Sequence, residues 1–348
     1  AITVFQDRGT IMEPPHRPRC ACGCVPAVPS LFEMAQLRAA RRKQKEERAK
    51  QSEAQAHLEK LLTVREDLSR KLEAERAVRS AFLSLHEPGA AEAERCVEMI
   101  LPPPDGRVEF VIAQDSSLAH GGLLWESGIA LAAHLAQDAS SGVSGSMRML
   151  ELPSGRPMRI LELGCGVAAL PSQVAAAALG AAVLATDAEH VVAAAERNVA
   201  RNAAGLRRGR AEDGRLDEKP TVQTAAYEWS EADPPPGSPY DLVLGADLIY
   251  DENMQAKLAS AVAAAAAPSC GQAVFSYEVR SAEVEARFFQ RLQDLGATPP
   301  HLLEELHPEV PGRSCTLRIV SVRFTESATA QVLPAETLPS LHSEGLYL

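Results

Sequence analysis

From Leu31 to His86 the chain contains neither Gly nor Pro, and apolar residues recur at Leu58, Leu61, Leu62, Leu68, Leu72, Val78, Phe82 and Leu85. Residues three and four apart share one face of a helix, so this spacing predicts one long amphipathic helix over 31–88. Ser30 and Glu33 are spaced for a capping box at its start, hydroxyl to amide and carboxylate back to amide. Pro88-Gly89 stops it.

After residue 92 the pattern changes to short β-branched runs alternating with alanine-rich helical stretches, the signature of an α/β domain. Strands are expected at Val108–Gln114, Arg159–Leu163, Ala182–Thr186, Val222–Tyr227, Asp241–Gly245, Ala273–Tyr277 and Leu317–Phe324, with a further one at Leu302–Leu306. Helices are expected at Leu124–Leu135, Ala168–Leu179, Val191–Asn202, Met254–Ala267 and Ala282–Leu295. Gln137–Gly155 and Arg207–Pro220 read as loops. Residues 1–30 hold five prolines and no periodicity and read as a disordered tail; residues 325–348 read as a flexible one. The α/β domain proper spans 92–324.

Composition narrows the function classes. Of the residues 46% are hydrophobic but only 4% aromatic, so alanine carries much of the core. The formal net charge is −11, which argues against a general nucleic-acid binder. No charge-free run of about 18 or more apolar residues occurs, so no membrane-spanning helix is expected. Between Arg38 and Lys50, seven basic residues meet two acidic ones. That stretch reads as a basic arm for an acidic partner or RNA. The plainer reading, which is preferred, is a solvated helix whose apolar stripe forms a short coiled coil or lies on the next domain.

Seven cysteines make an odd count, and Cys96, Cys165, Cys270 and Cys315 are scattered singly. A reducing compartment is expected, the cytoplasm and also the nucleus. Cys20, Cys22 and Cys24 could bind a soft metal, but no second cluster completes a tetrahedral site, and no metal is expected. Residues 1–30 lack the apolar stretch of a secretory signal; the chain opens on Ala1, which leaves an organelle-targeting segment upstream open.

Candidate chemistry begins at Ile160-Leu161-Glu162-Leu163-Gly164-Cys165-Gly166-Val167-Ala168-Ala169, an apolar strand running into two glycines and a helix. Glycine lets a ligand approach the main chain at a helix N-terminus. Asp187 follows Gly166 by 21 residues, at the end of the next strand, where a carboxylate can accept from both hydroxyls of a ribose. The pattern Gly164-x-Gly166-x-x-Ala169 satisfies the dinucleotide fingerprint, so NAD stays in contention. Glu162 shifts the balance: beside a pyrophosphate an acid repels, beside the cationic S-adenosylmethionine it attracts. A glycine turn without any ligand is the plain alternative.

Other strand ends converge on the same rim. Gly245-Ala246-Asp247-Leu248-Ile249-Tyr250 and Tyr277-Glu278-Val279-Arg280 both leave core strands where ligands of open α/β sheets bind. Trp125 and Trp229, the only tryptophans, can cover a cofactor and flank an adenine; alone, each reads as ordinary core. Asp247 reads also as a helix N-cap.

These motifs resemble those of the seven-β-strand (class I) protein-lysine methyltransferases of the methyltransferase-like kind, a group that modifies chaperones, the valosin-containing ATPase, elongation factors and calmodulin. The resemblance covers about residues 107–324. It rests on Gly121-Gly122-Leu123-Leu124-Trp125-Glu126, the Gly164–Gly166 loop, Thr186-Asp187, Asn198 with Asn202, Trp229, the Asp247-x-x-Tyr250 motif with Ala246 before it, and Tyr277-x-x-Arg280 ahead of Phe288-Phe289. It implies a Rossmann-like seven-stranded sheet with helices on both faces. It also implies cofactor contacts at Trp125, Gly164, Cys165, Gly166, Asp187, Trp229 and Ala246, and a catalytic, substrate-side role for Asp247 and Tyr250. The family often has Gly where this chain has Ala168, after Thr where it has Val167; a methyl there is expected to narrow the turn and weaken cofactor binding. The long amino-terminal helix lies outside the resemblance.

The expected activity is methyl transfer from S-adenosylmethionine to a lysine of a protein substrate. A protonated amine cannot attack, so Asp247 would attract the ammonium and assist proton release while Tyr250 orients the nitrogen. Two other readings stand beside it. One is a different acceptor, histidine or a small molecule; the other is a silent scaffold that works through helix 31–86.

Overall fold

The computed structural model describes residues 31–85, 94–102, 106–140, 156–206, 221–268, 271–310 and 313–324. The expected tails 1–30 and 325–348, the Cys20–Cys24 cluster, Ser30 and the loop 207–220 lie outside the described residues. The chain divides inside its first helix, residues up to Glu66 forming one unit and residues from Asp67 the second.

Helix α1 runs Leu31–Leu85. Of its apolar stripe, Leu58, Leu61, Leu62, Leu68 and Leu72 are exposed in the single chain. Within the second unit the stripe's Phe82 is buried with Ala74, Ala77 and Ala81, and its Val78 and Leu85 pack against the same core. Small residues let the backbone come close to its neighbours, and Phe82 supplies the bulk.

A hairpin of β1 (Arg95–Ile100) and β2 (Arg107–Ile112) follows; β1 was not expected. A 3₁₀ turn (Ser116–Gly122) leads to α2 (Glu126–Ser140), which is longer than its apolar pattern. The core then alternates as predicted: β3 (Arg159–Leu163), α3 (Leu170–Leu179), β4 (Ala182–Asp187), α4 (Glu189–Leu206), β5 (Thr221–Ala226), β6 (Leu242–Ala246), α5 (Gln255–Ala265), β7 (Gln272–Glu278) and α6 (Ala282–Asp294). It closes with β8 (His301–Leu306), the two-residue pair β9 (Glu309–Val310) and β10 (Arg313–Ser314), and β11 (Leu317–Arg323).

Seven strands form one sheet in the order β5-β4-β3-β6-β7-β11-β8. The first five of these pair in parallel, and β11 inserts antiparallel between β7 and β8. Successive residues of a strand face opposite sides. Ile160, Leu242, Leu244 and Val274 accordingly join α2 and α3 in one buried cluster, and Leu161, Val243, Ala273 and Phe275 join α5 and α6 in another. Helices thus cover both faces, and the sheet has the Rossmann-like doubly wound arrangement. Chain order reverses between β4-β3 and β6, and at that switch point the carboxyl ends of β3 and β6 part to leave a crevice. No helix of the described residues is long and apolar enough to cross a membrane.

The hairpin is tied to the core by two amides of α4. Asn198 and Asn202 lie four apart, on one helix face. Asn198 Oδ1 accepts from Ala113 N at 2.9 Å, and its Nδ2 donates to Ala113 O and to Val167 O at 2.9 and 2.8 Å. Asn202 pairs in the same way with Val111 N and O. The two side chains act as a surrogate strand along β2 and also pin the glycine loop.

Candidate active site

All ten residues singled out from the sequence line one cleft at the switch point: Trp125, Glu162, Gly164, Cys165, Gly166, Asp187, Trp229, Ala246, Asp247 and Tyr250. The cavity measures about 140 Å³.

Its floor is the turn after β3. Gly164 and Gly166 have φ of +59° and +57°, a left-handed backbone that L side chains rarely adopt. A Cβ on Gly164 would lie 2.5 Å from Leu248 Cδ2 and 3.4 Å from Trp229 Cζ2, so it would fill the cleft itself. Ala168, expected to narrow the turn, is buried and keeps an ordinary φ; the positive φ falls on Ala169 instead, at +40°. The methyl of Ala168 therefore imposes no left-handed strain, although Ala168 lines the cleft. Cys165 is buried, and burial pushes its thiol well above the ordinary range, so it stays protonated and inert.

Asp187 ends β4. Its Oδ2 accepts from Gly166 N and its Oδ1 from Ala188 N, both at 2.7 Å. Burial pushes the carboxyl above its usual value, and the two amide donors oppose that rise. Each carboxylate oxygen has a second lone pair, so acceptor capacity remains toward the cleft.

Glu162 plays a different part from the one its charge suggested. It is 1% exposed and accepts from both the backbone N–H, at 2.9 Å, and the hydroxyl of Ser172 in the first turn of α3. Burial pushes its carboxyl up to about 8. Near neutral pH it is mostly uncharged, so its repulsion of a phosphate is weak. Its role on the cleft wall is to anchor the α3 N-terminus, and the negative charge of the rim falls to Asp187 and Asp247.

Trp125 closes the opposite wall. Its Nε1 donates to His120 O at 2.9 Å, and the His120 ring lies 6.1 Å from the indole and 5.8 Å from the ring of the half-exposed Tyr250. Sequence reasoning missed His120. The signal was the Gly121-Gly122 pair, since a Cβ on Gly122 would lie 1.8 Å from Asp115 O. Gly121 O also accepts from Val167 N at 2.8 Å, joining this turn to the glycine loop.

Asp247 leaves β6 with φ +57°, its N–H donating to Ser276 O at 2.7 Å. It caps no helix; α5 begins later, after Met254. The N-cap reading is therefore wrong. Its carboxylate is held by Arg280, a residue the sequence reading quoted but gave no role. Among the described residues no group of three or more His, Cys, Asp or Glu side chains could hold a metal ion.

The chain matches the family described as lysine methyltransferase over residues 106–295, more than half its length. It belongs to that family and is an S-adenosylmethionine-dependent methyltransferase. Among solved structures it is similar to a methyltransferase from Pyrococcus furiosus, with 17% identity, a TM-score of 0.34, and 51% of this chain and 80% of that one covered. It is also similar to the N-methyltransferase NodS from Bradyrhizobium japonicum WM9 in complex with S-adenosyl-L-homocysteine, with 16% identity, a TM-score of 0.34, and 57% and 98% covered. None of the curated proteins matches the chain.

The cleft suits that cofactor. The two glycines leave a cradle that a Cβ would fill, Asp187 presents acceptor oxygens for ribose hydroxyls, and Trp125 and Trp229 bound the space on either side.

Proposed function

We propose that the protein methylates a lysine side chain of a protein substrate. The observation that carries this reading is the Asp247–Tyr250 turn, which leaves β6 beside the glycine loop and lines the cofactor cleft with a carboxylate and a phenol. When bound, S-adenosylmethionine supplies a methyl group on a sulfonium, open to attack by an amine.

The chain's own residues supply the rest. Gly164, Gly166 and Asp187 would hold the adenosyl part, and Trp125 with His120 excludes water from one side. Tyr250, half-exposed at the mouth, orients the acceptor nitrogen through its hydroxyl. Asp247 faces the same mouth, with its charge balanced by Arg280. A balanced pair raises the pKa of a neighbouring ammonium less than a bare carboxylate does, and so favours the neutral amine that attacks. A reducing compartment fits Cys96 and Cys165, whose thiols form no disulfide among the described residues.

The test is to incubate the protein with methyl-labelled cofactor and cell lysate, then map the modified residue by mass spectrometry. Label on a lysine is expected. Label on histidine or on a small molecule overturns the acceptor assignment, and the absence of any label favours the scaffold reading.

A further inference from the structure

Six of the residues that line the cofactor cleft carry ionisable side chains: His120, Glu162, Cys165, Asp187, Asp247 and Tyr250. An amine acceptor must give up a proton before it attacks, so each of the six is a candidate to receive it. Five are engaged or in the wrong protonation state. Glu162 is 1% exposed, bonded to Ser172, and mostly protonated near neutral pH. Burial keeps the Cys165 thiol protonated. Asp187 accepts from two amides and is the acid assigned above to the ribose end of the cleft. Asp247 is gripped through both oxygens by Arg280. Burial raises the Tyr250 phenol above its usual value, so near neutral pH it donates a hydrogen bond and takes no proton.

His120 is the exception. It is exposed, and among the described residues no hydrogen bond engages its ring nitrogens. In a neutral imidazole one of those nitrogens keeps a lone pair. The ring is nevertheless fixed in place. It lies 6.1 Å from the Trp125 ring and 5.8 Å from the ring of Tyr250, the residue that orients the acceptor nitrogen in the reading above. Its carbonyl accepts from Trp125 Nε1. Ala119, directly before it, adopts φ +52° and ψ −135°, a conformation that a residue with a Cβ takes only at a cost. Strain of this kind persists where the surrounding structure holds it, and here it sets the imidazole over the cleft.

On the lysine reading above, we propose that His120 is the group that takes the proton from the acceptor amine. The ammonium N–H bond breaks with its electron pair left on nitrogen, the proton passes to the imidazole, and the imidazolium releases it to solvent at the exposed mouth. The nitrogen pair then attacks the methyl carbon, and the pair of the breaking carbon–sulfur bond stays on sulfur. With the base beside Tyr250, the phenol orients the nitrogen while the imidazole unloads it. Asp247, held by Arg280, needs no part in removing the proton.

The experiment uses the full chain with the substrate protein mapped by the labelling above, and follows S-adenosylhomocysteine formation. His120→Ala should lower kcat about a hundredfold, as expected for loss of a general base, with KM nearly unchanged. His120→Phe keeps a ring beside Trp125 and Tyr250 but has no base, and should be equally slow. Both variants keep the main-chain carbonyl that Trp125 binds, so their affinity for S-adenosylhomocysteine should match the parent's, which verifies their fold. Added imidazole should speed His120→Ala saturably and leave the parent unaffected. A His120→Phe variant as fast as the parent, a loss confined to KM, or a His120→Ala rate that imidazole does not raise overturns the proposal and leaves the lysine reading intact. No label at all, or a methyl mapped to another residue type, ends the lysine reading and the proposal with it.

Discussion

Arg280 grips Asp247 by two parallel hydrogen bonds, Nη1 to Oδ1 and Nη2 to Oδ2, each 2.8 Å long. The pair spans the carboxyl ends of β6 and β7, and it steadies a turn whose central residue sits at φ +57° without being glycine. Arg280→Ala should cost about 1 kcal/mol of stability, since the guanidinium is partly exposed. Cofactor affinity should hardly change, while methyl transfer should fall about tenfold or more as Asp247 loses its fixed orientation. Arg280→Lys should recover only part of the rate, because an ammonium cannot reproduce the two-pronged geometry. Rates of S-adenosylhomocysteine formation check this; a variant as fast as the parent contradicts it.

Gly164→Ala meets two obstacles at once, a left-handed φ and a methyl 2.5 Å from Leu248 Cδ2. Leu248 can swing aside, but the methyl then occupies the cradle. We expect a stability loss of about 1–2 kcal/mol and cofactor affinity lowered at least about tenfold. Denaturant melts and calorimetric titration of S-adenosylhomocysteine measure the two effects separately.

Asn198→Ala should destabilise the fold by about 2–4 kcal/mol, although Asn198 does not line the cleft. Truncation orphans Ala113 N, Ala113 O and Val167 O at a residue only 2% exposed. Because Val167 belongs to the glycine loop, cofactor affinity should fall too. A urea midpoint unchanged from the parent rules this account out.

Glu162 gives the stability a pH signature. Its carboxyl titrates near 4.5 when free and at about 8 when buried. Between those values the folded chain holds a proton that the unfolded chain has released, so this group makes stability fall as pH rises, with no further loss above about 8. Glu162→Gln removes the slope. The gap between parent and variant melting temperatures should shift against the parent from pH 5 to pH 8. Parallel curves contradict a neutral Glu162.

Much of the core was legible because its signals are local. The run Ile160–Leu163, two glycines and an alanine-rich stretch specify strand, turn and helix within twenty residues. Strand β1 escaped because Arg95-Cys96-Val97-Glu98-Met99-Ile100 interleaves charges, and its partner is supplied only across the hairpin. In α1 helical spacing specifies a face, not what covers it: Phe82 of the stripe is buried while Leu58, Leu61, Leu62, Leu68 and Leu72 are exposed in the single chain. At the site, residue types pointed to the right cleft but not to their charge states. That Glu162 is neutral follows from burial against α3, and that Asp247 is paired follows from Arg280 at the end of another strand. Neither neighbour can be inferred from spacing along the chain.

On the function proposed above, one cleft, bounded by Gly164, Asp187 and the two tryptophans, binds S-adenosylmethionine. Both tryptophans of the chain line that cleft, so their intrinsic fluorescence reports on it directly. Titration with S-adenosylmethionine should give a saturable change in the parent, with none in a folded Asp187→Ala variant and none on adding NAD. An unresponsive parent, or an Asp187→Ala variant that binds as the parent does, would contradict the account.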